Sequence, residues 1–453
     1  MENTRYFIGL DLGTSGVKGV LLSELGEVKA TVTTAFEYYL DNGAKLLNPE
    51  KYIEACFKTI SQLSAAAPTR ESVVGICSSG AAGSMLVLDK SDAPLTPIIG
   101  WQTTVSAEDF AEFYTDEERA EIRALAGWPV GRGFPASYIP AIKKYRPDIF
   151  DAADKFIMTP EYLAYTLSGG FGISHSLAMP STLCDQVRGV YNGKLLFKLG
   201  IREDMLPALH TKCTEIGTVK ADMAERLGIS RGCKVIVGSF DHPAGAMGAG
   251  VYEVGAGLLS LGTSWVVLLP LAQRSADACA MGLVDRFIQD GAPYCIMKSV
   301  ASISDKINKL RKHFFGEISH SEFDSLVSKS SLGTGGLRFD FSDNDFETAR
   351  GYAKEDIARA IIESAAHKLK DNLEVLATRG MTADKLTVIG GITNSAVCIK
   401  VLAEVIGKPL TVVNGESAGA VGSAMMAAVG AGVFSDVKSA FDKMNFKSVT
   451  YQP

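Results

Sequence analysis

Two glycine turns set far apart in the chain restrict the folds open to it. Residues 6–22, YFIGLDLGTSGVKGVLL, predict a strand, a Gly13-Thr14-Ser15 turn and a second strand, with one acid, Asp11, at the mouth of the turn. Residues 238–264 present a second lone acid, Asp241, and then another hairpin whose turn is Gly262-Thr263-Ser264. Two hydroxyl-bearing glycine turns, each tied to one carboxylate, can clamp a metal-bound polyphosphate. Phosphoryl transfer needs such parts: donors around the phosphates, a metal, and a positioned nucleophile.

The segments between fit an α/β protein. YFIGLDLG, VKGVLLS and EVKATVTT read as an antiparallel meander with glycine turns. PEKYIEACFKTISQLSAA then has helical spacing, with Tyr52, Ile53, Cys56, Phe57 and Ile60 on one face. SVVGICSS, SMLVLDK and PIIGW predict further strands, so the sheet is mixed rather than purely parallel. Residues 107–232 read as helical, broken by GWPVGRGFP and SGGFGISHS, and CKVIVGSFD is a strand ending at Asp241. After the second hairpin come a long helix (KEDIARAIIESAAHKLKDNLEVLATRG), the strand KLTVIGG, the helix SAVCIKVLAEVIG, the strand PLTVVN and the small-residue helix AGAVGSAMMAAVGAG. The chain therefore reads as two hairpin-opened halves, residues 1–248 and 249–453, a duplication of architecture rather than of sequence. Glycine and alanine crowd at 247–256, where a hinge is cheap.

Each motif has a structural alternative. Asp11 through Gly16 is also an ordinary tight hairpin; functionally, the amides and the hydroxyls of Thr14 and Ser15 cradle phosphate oxygens, and Asp11 holds Mg²⁺ as a hard oxygen ligand. Lys18 shares a strand face with Thr14 and Gly16, and is either a counter-charge for phosphate or a solvated strand residue. Asp241 follows the apolar run VIVG, so it stands where a buried strand ends, a usual place for α/β ligand sites. There it can take the proton of an attacking hydroxyl, or cap the helix that follows; the two roles are compatible. Gly390-Gly391, between a strand and a helix and followed by Thr393-Asn394-Ser395, lets a flat ligand such as adenine lie against the backbone.

Several classes are excluded. A net charge of −6 argues against nucleic acid, and no run nears the ~18 apolar residues of a membrane span. The opening residues enter a strand pattern without a basic leader. Eight scattered cysteines without a CxxC pair fit reduced thiols in a cytoplasmic protein. There is no P-loop, no GxGxxG before a helix and no GxSxG elbow. The histidines lack metal-ligand spacing; His242, beside Asp241, is the one placed to act.

Together the motifs resemble the FGGY carbohydrate kinases, from IGLDLGTSGVK through DHPAGAMGAG and LSLGTS to VIGGITNS and SAGAVGSAMMA, with LNPEKY, PIIGW and MTPEYLAYTLSGGFGISHS between. The resemblance implies two ribonuclease-H-like domains of the actin-like ATPase fold, with ATP and a sugar in a cleft between them. It implies Thr14 and Ser15 at the first phosphate turn, near which Lys18 is counted as a candidate cofactor-binding residue, and Gly262, Thr263 and Ser264 at the second. It matches Asp11 to the acid near Mg²⁺, Asp241 to the general base, and Gly390, Gly391 and Ser395 to the adenosine turn, where Asn394, between them at the helix start, is a further candidate. The expected acceptor is a ketose such as a pentulose or heptulose, or a polyol; the alternative is a catalytically weak sugar and ATP sensor of the same fold. A homodimer is expected by resemblance alone.

The departures fall on the sugar side, assigned to Ser79, Gly80, Ala81, Trp101, Gln102, Asp241 and His242. Many relatives carry Gln-Met-His or Gln-Arg-Glu where this chain has Ser79-Gly80-Ala81. Trp101-Gln102 is followed by Thr103-Thr104 instead of an acid, and GTGGLRFDFSDNDF takes the place of a Gly-Glu-Arg loop. Each lost polar side chain removes about 1 kcal/mol of net hydrogen bonding to a substrate hydroxyl.

Overall fold

The computed structural model describes residues 4–287, 291–342 and 345–453, so Asp343 and Asn344 of the GTGGLRFDFSDNDF segment lie outside the described residues. The chain forms two compact units. The first comprises Met1–Gly248, Leu283–Arg286 and Gly419–Asn445; the second comprises Ala249–Gly282, Phe287–Ala418 and Phe446–Pro453. The cut expected after residue 248 is one of the crossings, but the chain returns to the first unit twice more.

In the first unit the strands Tyr6–Leu12, Gly16–Ser23 and Val28–Ala35 form the expected antiparallel meander. Val73–Gly80 then pairs parallel to Tyr6–Leu12, and Lys234–Phe240 pairs parallel to Val73–Gly80. The second unit repeats this order. Gly255–Leu261, Trp265–Leu271 and Tyr294–Val300 are antiparallel, and Ala383–Ile389 followed by Leu410–Val413 extends the sheet in parallel. Parallel pairing needs long crossovers, and the helices Pro49–Ala65 and Ala396–Ile406 lie in two of them.

Local chemistry accounts for these elements. Asn48 caps the Pro49–Ala65 helix by accepting from the Glu50 and Lys51 amides, and Pro49 suits its first turn. Tyr52, Cys56, Phe57, Ile60 and Leu63 are buried against the sheet, while Ile53, expected on that face, is only partly buried. In the stretch read as helical, residues 107–232, the structure also has the strands Lys155–Met158, Gly172–Ser174, Ala208–His210 and Glu215–Thr218. They are three or four residues long, too short to display alternation. Lys155–Met158 pairs with Met85–Leu88, in a smaller sheet that also holds Ala44–Leu47 and Ile98–Ile99. Among the described residues no helix is long and apolar enough to cross a membrane.

The Ala418–Gly430 helix lies on the first sheet at backbone contact. A Cβ on Gly9 would stand 2.0 Å from the Ala420 carbonyl oxygen, and one on Gly422 would stand 2.0 Å from that of Ala244. The Ser423 hydroxyl donates to the Leu10 carbonyl at 3.0 Å. Glycine is required where two backbones meet this closely. Gly9→Ala should therefore destabilise the protein by at least about 1–3 kcal/mol, read as a lowered urea midpoint; an unchanged midpoint would refute this packing.

Candidate active site

Asp11 occupies the penultimate position of the first strand, directly opposite Lys18 in the hairpin register. It also meets the start of the Ala418–Gly430 helix, where a Cβ on Gly419 would lie 2.7 Å from Asp11 Oδ2. A carboxylate is favoured at a helix N-terminus, yet the Asp11 carboxyl is raised from 3.8 to about 7. Loss of water is the largest cause, the nearby Asp241 charge is next, and Lys18 pulls the other way. An acid raised by loss of water and by a neighbouring carboxylate gains from a cation placed beside it.

Asp241 is the first residue of the Asp241–Gly248 helix, immediately after the Lys234–Phe240 strand. Its Oδ1 accepts from the His242 amide at 2.7 Å. Its side chain keeps 28% of its exposure, so the carboxylate is both held and reachable. The His242 ring lies edge-on to Phe240 at 5.4 Å, and Phe240 in turn meets Trp128 edge-on at 5.5 Å.

The Gly13–Ser15 turn is closed by the Gly13 amide donating to the Gly16 carbonyl, with Thr14 half-buried and Ser15 exposed. Thr14 Oγ1 accepts from the Trp101 indole at 3.4 Å, which brings together a residue of the first turn and one expected on the sugar side. Trp101 stacks on Phe134 at 6.5 Å, and Phe134 meets Trp128 edge-on. Asp11, Lys18, Thr14, Asp241, His242 and Trp101 are thereby linked through the first unit by direct contact or through Phe134, Trp128 and Phe240.

Of the remaining positions expected on the sugar side, Ser79, Gly80 and Ala81 serve the backbone and Gln102 meets a side chain. Ser79 is fully buried and its hydroxyl accepts from the Ser239 amide at 3.1 Å. Gly80 lies where a Cβ would stand 2.6 Å from the Leu12 carbonyl oxygen, and the Ala81 amide donates to that oxygen at 3.0 Å. Gln102 accepts from the Lys45 ammonium. Thr103 Oγ1 accepts from the Lys45 amide and donates to the Lys45 carbonyl. Small residues stand here because strand ends converge.

In the second unit the Gly262–Ser264 turn is braced by Ser302, in the loop after the Tyr294–Val300 strand, and by Ser304, in the first turn of the Ile303–Phe315 helix. Ser304 Oγ donates to the Gly262 carbonyl at 2.6 Å and accepts from the Trp265 indole, while the Ser302 amide donates to Ser264 Oγ. The Ser304 amide donates to the Thr263 carbonyl at 3.2 Å. Gly390, at φ +107°, abuts this hairpin, since a Cβ there would be 2.4 Å from the Leu261 carbonyl oxygen. Gly391 is exposed, Asn394 approaches Glu416 at 3.5 Å, and Ser395 caps the Ala396–Ile406 helix through the Cys398 amide.

Two buried residues near Asp241 escape a reading by motif. Ser176 Oγ accepts from the Phe240 amide at 3.1 Å and from Ser239 Oγ at 3.0 Å, and donates to Asp285 Oδ2 at 2.7 Å. Asp285 is fully buried, and burial pushes its carboxyl up to about 8. No sequence signal joins positions so far apart.

Among the described residues no group of three or more His, Cys, Asp or Glu side chains cages a metal. Mg²⁺ bound to nucleotide phosphates needs only one or two carboxylates, with water and phosphate completing the shell, and Asp11 with Asp241 fits that demand. Because the Asp11 value lies above its unfolded 3.8, its ionised form costs stability. That contribution is favourable at low pH and is lost as pH rises through about 7. Without metal, stability should fall between about pH 4 and 7 in the wild type and less in Asp11→Asn; equal slopes in denaturant titrations would refute the assignment. At pH 8, Mg²⁺ should raise the midpoint of the wild type alone.

The chain matches the sequence model of the FGGY carbohydrate kinases, N-terminal domain, over residues 6–248, and that of the C-terminal domain over residues 336–431. It is 26% identical to a xylulose kinase of Staphylococcus epidermidis across 98% of this chain and 92% of that protein, and 25% identical to one of Lactococcus lactis subsp. lactis across 99% and 92%. Among solved structures, the xylulose kinase from Rhodospirillum rubrum superposes with a TM-score of 0.86 at 22% identity, covering 99% of this chain and 94% of that one. The two hairpin-opened units accord with this shared fold, an actin-like ATPase architecture. The chain belongs to the FGGY family of carbohydrate kinases, and is a phosphotransferase that uses an alcohol group as acceptor.

Proposed function

We propose that this sugar kinase transfers the γ-phosphoryl group of ATP to a hydroxyl of a ketose, with a pentulose such as xylulose as the first candidate. The observation that carries the reading is the pair of carboxylates in the first unit: Asp241 reachable at a strand end, and Asp11 close enough to feel its charge. The similarity to xylulose kinases over nearly the full chain supports the pentulose.

In this reading Asp241 accepts the proton of the sugar hydroxyl as its oxygen attacks phosphorus. The Asp241 carboxylate is oriented by the His242 amide, which leaves its second oxygen for the substrate. Asp11 holds the metal side of the nucleotide, and Lys18, opposite it on the hairpin, offsets phosphate charge. When bound, Mg²⁺ neutralises charge on the β- and γ-phosphate oxygens. The amides and hydroxyls of Thr14 and Ser15, and those of Gly262, Thr263 and Ser264, donate to phosphate oxygens. Gly390, Gly391, Asn394 and Ser395 receive the adenosine. Trp101 offers the sugar an apolar ring face, with Gln102 at its side, and His242 stands next to the reacting hydroxyl.

The setting proposed is the cytoplasm, since each of the eight cysteines is a free thiol and seven are buried. Heptuloses and polyols are the second choice of acceptor. The test is a coupled ADP-release screen over C3–C7 ketoses and polyols, with Asp241→Ala as blank. Asp241→Ala should lower kcat by about 10²–10⁴-fold and leave ATP affinity within about 2-fold. Wild-type turnover in Asp241→Ala would overturn the base assignment. A screen that yields no ADP from any sugar, while ATP binds, would favour a sensor.

A further inference from the structure

The geometry points to Asp285 as a positioning residue for Asp241, acting through the Ser176 hydroxyl on the peptide that precedes the proposed base. This rests on the reading of Asp241 above.

A serine hydroxyl has one proton and two lone pairs. Ser176 Oγ receives the Phe240 N–H, which can only donate, and the Ser239 hydroxyl. Both lone pairs are thereby used, and its one proton goes to Asp285 Oδ2 at 2.7 Å. Asp285 must accept at that oxygen in either protonation state, because a third donor on Ser176 would have no lone pair. Ser239 is tied a second time, its amide donating to Ser79 Oγ. The last two residues before Asp241 are thus fixed by Ser79, Ser176 and Asp285, all buried.

Asp285 is itself delivered firmly. It belongs to Leu283–Arg286, a segment of the first unit whose flanking residues, Gly282 and Phe287, belong to the second. The Val284 amide donates to the Gly127 carbonyl at 3.0 Å, and the buried Gln186 side chain donates to the Val284 carbonyl at 2.7 Å. Gly127, at φ +73°, admits no side chain, since a Cβ would meet Gln186 Oε1 at 2.7 Å.

Stability alone does not call for an acid at this place. Asp285 Oδ1 lacks a well-formed hydrogen bond although the Arg286 amide lies beside the carboxyl, and a poorly satisfied buried polar atom is costly. What the acid supplies is a fixed acceptor that sets the Ser176 proton, and through it the direction of the Phe240 N–H. A shift of about 1 Å at a reacting group can cost about 10²-fold in rate.

The experiment compares Asp285→Ala, Asp285→Asn and Ser176→Ala, each also in an Asp241→Asn background, by kcat, KM and hydrogen exchange of the peptide spanning residues 236–243. Asp285→Ala should lower kcat about 10–100-fold with KM for ATP within about 2-fold, and should speed exchange at the Phe240 amide. Asp285→Asn keeps an acceptor oxygen and should restore kcat to within about 3-fold of wild type. Ser176→Ala should match Asp285→Ala, so a poorly folding Asp285→Ala does not end the test. In the Asp241→Asn background neither substitution should lower the residual rate further. Wild-type kcat in both Asp285→Ala and Ser176→Ala, unchanged exchange, or a full additional loss on top of Asp241→Asn would overturn the link. Full activity of Asp241→Asn would overturn the base assignment instead, and the exchange data would still decide whether Asp285 holds Phe240.

Discussion

Backbone contact between the first strand and the Ala418–Gly430 helix is the constraint on which the first unit's site depends. The approach is close: a methyl group on Gly9 would collide with the helix main chain, one on Gly419 would meet the Asp11 carboxyl, and one on Gly422 would strike the Ala244 carbonyl of the neighbouring Asp241–Gly248 helix. That approach brings a helix N-terminus to Asp11 and takes water from its carboxyl, which is why the acid is raised although a lysine stands opposite. A looser packing with ordinary side chains would leave Asp11 hydrated and ionised, with less to gain from a cation. The electrostatics of the site is therefore a product of how closely two backbones pack.

The same topology serves both units because a hairpin followed by parallel strands leaves one strand end open at each centre. In the first unit that end carries Asp11 and, two strands away, Asp241; in the second it carries the Gly262–Ser264 turn and the Gly390 turn. Glycine at 390 is fixed by the Leu261 carbonyl as well as by its positive φ. The sequence pair Gly390-Gly391 thus has a packing reason beside any role toward a ligand.

The features legible in the sequence were local ones. The hairpins, the acids at strand ends and the long helices are each written within about twenty residues, where period and turn chemistry can be read. The short strands at 155–158, 172–174, 208–210 and 215–218 were hidden because pairing partners, not propensity, create them. Ser176 and Asp285 were hidden for a related reason. Their meaning lies in a hydrogen-bond chain that joins residues 79, 176, 239, 240 and 285, and no spacing rule reports it.

The sugar side changes most when geometry replaces motif. Read as a motif, Ser79-Gly80-Ala81 is a place where polar contacts to substrate have been lost. In the folded chain Ser79 holds the Ser239 amide, Gly80 makes room for Leu12, and Ala81 continues the strand pairing. Thr103, which stands where the family resemblance leads one to expect an acid, closes a two-way bond with the Lys45 backbone. These residues are committed to holding strand ends and loops together, so their small size says little about which hydroxyls a substrate presents. In the proposed reading discrimination falls to groups with reachable faces near Asp241: Trp101 and Phe134 are partly exposed, while Trp128 and Phe240 are buried behind them. Ring faces select the apolar side of a sugar and are indifferent to a single hydroxyl. On the proposed reading, a sugar set against the Trp101 face would be separated from other acceptors by shape and length more sharply than by the configuration of one carbon.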